Sequence, residues 1–217
     1  MHKKIKIISF DVDGTMVDPE YNDLIWFKEI PELLADKRQL PFEEAKKSAL
    51  REYEILGSKN LKWYDINYWI KYFDLKVSSY EILEKYESRI KIFPSVIPLL
   101  EDLKNRYKLI VITAMPREFL SPKMIKLGKY FQKTFSATSD FNQLKNTALY
   151  KKISSDLNIN PLEIVHIGDS WNSDYLAAKQ AGMNTLYLDR NREKTGEDII
   201  YNLEEVNTIL RIYEKYQ

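Results

Sequence analysis

Cysteine is absent from all 217 residues, and only two histidines occur, His2 and His166. The first absence excludes disulfides, thiolate metal sites and cysteine nucleophiles. The second excludes a histidine-rich metal centre. Long apolar runs are missing as well, since none approaches the roughly 18 residues that a membrane helix needs. No sign of charge prevails: 33 Lys and Arg stand against 32 Asp and Glu. This balance gives no electrostatic ground for nucleic acid or an anionic membrane as the main partner. The N-terminal Met1-His2-Lys3-Lys4 is basic, but the apolar run behind it is short and breaks at Asp11, so a strand is expected there and not a signal peptide. A soluble, cytoplasmic protein is the expectation. At 44% hydrophobic, the chain can build one large domain, or a core with a smaller insert.

The apolar run over residues 5–10 leads straight into Asp11-Val12-Asp13-Gly14-Thr15. Three further runs resemble it: YKLIVIT at 107–113, IVHI at 164–167 and NTLYL at 184–188. Each is short, partly β-branched and bounded by polar residues, as suits parallel strands buried on both faces. Helical patterns separate them. Val96, Leu99, Leu100 and Leu103 repeat at helical spacing behind Pro94 and Ser95. Tyr150, Ile153 and Leu157 do so ahead of Asn160-Pro161. Tyr175, Ala177, Ala178 and Ala181 run to Gly182, a suitable helix terminator. Strands alternating with helices predict an α/β fold with a doubly wound, Rossmann-like parallel sheet in three layers.

Residues 16–91 follow another pattern. Apolar residues there recur at helical spacing, strand-like runs are scarce, and Pro31, Pro41 and Gly57 punctuate the stretch. A smaller all-helical domain is expected over 16–91, inserted into an α/β core of residues 1–15 and 92–217. Three of the four tryptophans (Trp26, Trp63, Trp69) lie in the insert, where aromatics most often form packed core. Trp63, Tyr64, Tyr68, Trp69, Lys59 and Lys62 are its candidates for facing a substrate. Trp171, beside Asp169-Ser170, is another candidate.

In an open parallel sheet, ligands bind at the carboxyl ends of the strands. The first strand ends in Asp11 and Asp13, the second in Thr113, and the third in Gly168-Asp169-Ser170, with Asp174 a few residues on. Lys145 offers a cation at the start of a helix. Taken singly, each is an ordinary turn acid, strand-end threonine or surface lysine. Together they converge on one rim. Crowded carboxylates need a cation, and hard oxygen ligands suit magnesium. Such a cation with Lys145, Thr113 and backbone N–H groups makes a phosphate site. Asp11 can then attack phosphorus, while Asp13 protonates the leaving oxygen and later takes a proton from water. His166, within an apolar run, is expected to be a half-buried strand residue pointing away from the rim and not a base.

These residues resemble the haloacid dehalogenase superfamily over nearly the whole chain. Asp11 to Thr15 matches the first motif, Asp-x-Asp-Gly-Thr. Thr113 matches the second motif and Lys145 the third, ahead of Lys151 and Lys152. Gly168, Asp169 and Asp174 match the fourth. The tracts GDSWNSDYLAAKQAG at 168–182 and FPSVIPLLEDL at 93–103 are also similar to the family's. The resemblance implies that the helical insert is a cap over the site. It implies Asp11 as nucleophile and Asp13 as general acid/base. It further implies magnesium held by Asp11, the backbone carbonyl of Asp13 and Asp169, with Asp174 in support, and phosphate bound by Thr113 and Lys145. The chain departs from the family where Ala114-Met115-Pro116-Arg117 follows Thr113 and where Leu144-Lys145-Asn146 surrounds the lysine.

The expected activity is hydrolysis of a small phosphorylated metabolite. A metal-free 2-haloacid dehalogenase using Asp11 is the alternative, but a departing halide needs no proton, which would leave Asp13 idle. A non-catalytic binding protein on the same fold is the third reading. Against it, unpaired acids are unfavourable without a function to retain them.

Overall fold

The computed structural model describes residues 4–215. Met1, His2 and Lys3, most of the basic N-terminal tetrapeptide, lie outside the described residues. Six parallel strands form one sheet: β1 Ile7–Phe10, β2 Lys108–Thr113, β3 Lys133–Ser136, β4 Ile164–Gly168, β5 Asn184–Leu188 and β6 Ile199–Ile200. Their spatial order is β3-β2-β1-β4-β5-β6. The chain thus leaves central β1 for one side of the sheet and later crosses to the other. The crevice above β2, β1 and β4 is the switch point of a doubly wound sheet.

Side-chain alternation sorts the strands onto two faces. Ile8, Phe10, Leu109, Val111, Val165 and Ile167 belong to one apolar cluster. Helices α6 (Val96–Leu103), α7 (Arg117–Leu127) and α11 (Val206–Lys215) cover that face through Leu100, Leu120 and Leu210, among others. Ile7, Ile110, Ile112 and Ile164 point the other way. They meet α8 (Ala137–Phe141), α9 (Thr147–Asp156) and α10 (Ala177–Gln180) through Ala137, Leu149, Tyr150, Ile153 and Ala178. The expected three layers are present.

Residues 20–89 hold five α-helices: α1 Glu20–Leu24, α2 Ile30–Arg38, α3 Phe42–Leu56, α4 Ile66–Tyr72 and α5 Ser79–Tyr86. A π-helical turn, Ile25–Glu29, joins α1 to α2. The helices enclose their own apolar cluster, which includes Tyr21, Trp26, Tyr53, Trp69 and Phe73. Phe119 of α7 reaches into it, stacking on Trp26 with ring centroids 5.5 Å apart. The outgoing and returning connections run side by side: Asp18 N–H donates to Lys91 O (2.8 Å) and Phe93 N–H to Met16 O (3.0 Å). Met16 and Val17 pack in the sheet's cluster, and the first helix of the segment begins at Glu20. Among the described residues, no helix is long and apolar enough to cross a membrane.

Two strands are missing from the sequence expectation. β3 (KTFS) lies at an edge and pairs with β2 alone, so it needs no apolar run. β6 spans two residues at the opposite edge.

Candidate active site

β1 delivers Asp11 to the rim, where its N–H donates to Ile167 O at 2.9 Å. The chain then turns through Gly14, whose φ of +77° lies in the left-handed region. A Cβ on Gly14 would lie 2.7 Å from Asp169 Cγ and closer still to its Oδ2. Glycine is required twice over: for the turn, and for the approach of Asp169. The Thr15 hydroxyl donates to Asp169 Oδ1 at 3.0 Å, fixing the carboxylate across the turn. Arg190, beyond β5, donates to Gly14 O (3.2 Å) and Thr15 O (3.0 Å) and so pins the same turn from outside.

Asp174 arrives from a π-helical turn, Trp171–Leu176. Its Oδ2 accepts the Ser170 N–H at 2.9 Å. A Cβ on Gly168 would lie 2.6 Å from Asp174 Cβ, so this glycine is also dictated by close approach. Asp11, Asp169 and Asp174 each turn an oxygen into one cluster, with these atoms within 4.8 Å of one another, and the three could hold a metal ion.

Asn146 caps α9 by accepting the Leu149 N–H at 3.0 Å, which sets Lys145 just ahead of the helix. The Lys145 ammonium is buried and uses all three of its N–H groups. It pairs with Asp11 Oδ1 (2.5 Å) and Asp174 Oδ1, and donates to Ile112 O (3.2 Å). Thr113 is buried at the end of β2, and its hydroxyl accepts the Met115 N–H at 3.2 Å. The departures after Thr113 have local partners. Thr138 and Ser136 hydroxyls donate to Ala114 O (3.0 Å) and Met115 O (2.7 Å), and Arg117 binds Asp140 and Thr134.

The charges reflect this packing. Burial pushes the Asp11 carboxyl well above its ordinary value, helped by the negative charges of Asp174 and Asp169, against the pull of Lys145. Burial and Asp174 together push Asp169 up to about 6. Burial acts the same way on Asp174, but Lys145 and His166 outweigh it and hold that group well down. Lys145 is raised: burial works against its charge, but Asp11 and Asp174 prevail.

His166 departs from expectation. It is fully buried and lies directly behind the site, with Nε2 3.0 Å from Asp174 Oδ1 and Nδ1 2.9 Å from Ser9 Oγ. Burial lowers its pKa, which favours the neutral ring. An ionised Asp174 can only accept, so Nε2–H donates to it and Nδ1 accepts from Ser9. The Tyr150 hydroxyl closes the network, donating to Ser173 O at 2.9 Å. His166 faces the back of the rim because even-numbered β4 residues share the face that α9 covers.

Asp13 goes its own way. Its carboxylate stands outside the three-acid cluster, and its Oδ1 pairs with the ammonium of Lys123, a side chain fully buried on α7. Its Oδ2 is buried with no partner among the described residues. Lys123 also donates to Asn22 Oδ1 at 2.9 Å. Neither Lys123 nor Asn22 is a sequence candidate. Lys123 does lie on the buried stripe Phe119, Leu120, Lys123, Leu127 of α7, and a lysine at such a position is the available signal.

The suggested substrate-facing residues separate. Trp69 is buried and donates to Trp63 O. Tyr68 lies against Trp69, Lys59 is exposed, and the Lys62 ammonium lies over the Tyr68 ring. Tyr64 is near enough to Lys145 to feel its charge. Burial raises its phenol and Lys145 pulls it back. Trp171 stacks on Tyr175 at 4.5 Å, beneath the Lys194 ammonium.

The GMP/IMP nucleotidase YrfG of Escherichia coli K12 is 25% identical over 114 residues, which make up 52% of this chain and 50% of that protein. The chain therefore matches about half the length of that curated relative. A crystal structure of a HAD phosphatase from Thermococcus onnurineus is 29% identical with a TM-score of 0.84, covering 95% of this chain and 98% of that one. A 2-haloacid dehalogenase from Pseudomonas syringae pv. Tomato DC3000 has a TM-score of 0.68 over 96% of this chain and 99% of its own, but at 23% identity it shows the fold alone. The family model for haloacid dehalogenase-like hydrolases matches residues 5–182, most of the chain and every motif discussed above. The chain belongs to the haloacid dehalogenase-like hydrolase family.

Proposed function

We propose that this protein is a magnesium-dependent phosphatase that hydrolyses a small phosphomonoester through an aspartyl-phosphate on Asp11. The observation that carries the reading is the division between the two aspartates of the first motif. Asp11 lies with the acids and Lys145, while Asp13 lies apart with its own lysine and one oxygen that has no partner among the described residues. Such a separation suits a nucleophile and a proton carrier.

In this reading Asp11 attacks phosphorus as the P–O bond to the leaving group breaks, and Asp13 gives its proton to the leaving oxygen. Asp13 then takes a proton from water. The water oxygen attacks phosphorus, the bond to Asp11 breaks, and inorganic phosphate and the free carboxylate are restored. Lys145 and Thr113 would bind the phosphate oxygens, Lys145 exchanging one of its present partners for them. Asp11, the backbone carbonyl of Asp13 and Asp169 would hold the magnesium, with Asp174 supporting them.

The donor set fits that ion. Asp11, Asp13, Asp169 and Asp174 are hard oxygen donors, and the two buried lysines, Lys145 and Lys123, balance only part of their charge. When bound, magnesium would screen the Asp11 carboxylate from the phosphate dianion. The helical segment would act as the cap, with Tyr64 at its face toward Lys145. A dehalogenase would leave the Asp13–Lys123 arrangement without a task. The nucleotidase relative makes nucleoside monophosphates the first substrates to try, followed by sugar phosphates and phosphoglycolate.

The test is phosphate release from p-nitrophenyl phosphate, with and without magnesium. Activity should need the metal and vanish in Asp11→Asn. Turnover that survives Asp11→Asn would overturn the reading, as would metal-free chloride release from 2-chloropropionate without phosphatase activity.

A further inference from the structure

Lys123 is an unusual lysine. Its side chain is fully buried, whereas lysines are almost never so unless paired. It belongs to none of the motifs that mark the site. Three groups surround its ammonium, from two parts of the chain: Asp13 Oδ1 from the first-motif turn, and from α1 both Asn22 Oδ1 at 2.9 Å and the ring of Tyr21, with its centroid 5.2 Å away. Tyr21 is itself fully buried, edge-on to Phe119 at 6.2 Å. Asn22 and Tyr21 belong to the first helix of the inserted segment, and Lys123 and Phe119 to α7 of the sheet domain. The ammonium therefore sits at the junction of the two, with a ligand from each.

Resting on the phosphatase reading, we infer that Lys123 is a positioning residue for Asp13: it fixes that carboxylate with Oδ2 free for the leaving oxygen, and it does so only while Asn22 and Tyr21 of the helical segment are docked against it. The physical basis is competition for a few donors. A buried ammonium must have its N–H groups satisfied and its charge balanced. Asp13 supplies an acceptor oxygen, charged once its proton has gone to the leaving group, Asn22 a neutral acceptor and Tyr21 a π face. If α1 moved away, Lys123 would lose two of its three ligands and become free to rotate, and the orientation of Asp13 would go with it. The acid/base group would then be set for proton transfer only when the helical segment covers the site. Lys145 plays no part in this, since its contacts are to Asp11, Asp174 and Ile112.

The test uses leaving groups of different need. p-Nitrophenolate departs without a proton, whereas an alkoxide requires one. kcat/KM, which reports phosphoryl transfer to Asp11, should therefore fall selectively in Lys123→Met. The expected loss is about 30-fold or more for an alkyl phosphate and under about threefold for p-nitrophenyl phosphate, the larger figure lying within the contribution of general acid catalysis. In an Asp13→Asn background, Lys123→Met should add no more than about twofold, because the group it positions is gone. Asn22→Ala should show the same selectivity at smaller size, and it serves if Lys123→Met fails to fold. Equal losses on both esters in a variant that melts like wild type would overturn the inference and leave the phosphatase reading intact. So would full additivity with Asp13→Asn. A wild-type protein inactive on every ester would overturn both.

Discussion

Gly14→Ala, set against Gly182→Ala, separates backbone strain from damage to the acidic cluster. Both glycines have positive φ, +77° and +90°. An alanine at either should cost about 1–2 kcal/mol for a left-handed backbone. Their surroundings differ. At Gly182 the nearest atom to an added Cβ is Pro161 Cβ at 3.6 Å, ordinary contact. At Gly14 the added Cβ would lie 2.7 Å from Asp169 Cγ, inside the 3.0 Å that real Cβ atoms respect, and nearer still to Oδ2. Asp169 would have to retreat by a large part of an ångström, giving up its hydrogen bond from Thr15. Metal sites tolerate shifts of only about 0.2 Å in ligand distance. Gly182→Ala should therefore lose about 1–2 kcal/mol in denaturant unfolding, and Gly14→Ala more, because the hydrogen bond from Thr15 goes as well. Magnesium affinity, measured by isothermal titration calorimetry, should fall at least about tenfold in Gly14→Ala and stay at the wild-type value in Gly182→Ala. Equal magnesium affinities in the two variants would refute the placement of Asp169 against this glycine.

Two further outcomes follow from the same packing. Asp169, pushed up to about 6 by burial and Asp174, favours the protonated form in the folded, metal-free protein. Its contribution to stability is thus complete below the unfolded carboxyl value and is lost as pH rises through about 6. Magnesium needs the carboxylate, so its affinity should weaken as pH falls below that point, and a dissociation constant unchanged between about pH 5 and about pH 7.5 would contradict this. Phe119→Ala removes the fully buried ring that stacks on Trp26. It should destabilise the protein by about 3–5 kcal/mol and alter Trp26 fluorescence; a loss below about 1 kcal/mol would mean that the helical segment is anchored elsewhere.

What could be read from the residues alone, and what could not, depends on whether a constraint is local. β1, β2, β4 and β5 are buried on both faces, and that burial writes an apolar run into each. β3 escapes because an edge strand is held by backbone pairing with β2, so Lys133 and Thr134 can occupy it. Asp11, Asp169 and Asp174 were legible because each lies at a strand end or in the turn beyond it, and Gly14 and Gly168 are required by the crowding of those acids. His166 could be placed on a strand but not assigned a partner, because Ser9, Tyr150 and Asp174 reach it from three separate elements.

The two buried lysines show where the boundary falls. Lys145 stands just ahead of a capped helix, so turn chemistry and order along the chain point to it. Lys123 has no such marker. It lies mid-helix, and both of its polar partners are about a hundred residues away in sequence, Asp13 at a separation of 110 and Asn22 at 101. The packing of α7 against the first-motif turn brings in Asp13, and the docking of α1 brings in Asn22. Its one trace in the sequence is a charge placed on an apolar stripe, between Leu120 and Leu127. A buried charge is expensive unless paired, so a lysine kept at such a position implies a carboxylate within reach. The first motif supplies two, and Asp11 is already paired with Lys145. Asp13 is the acid left over, and its pairing with Lys123 separates the two aspartates of the first motif in environment.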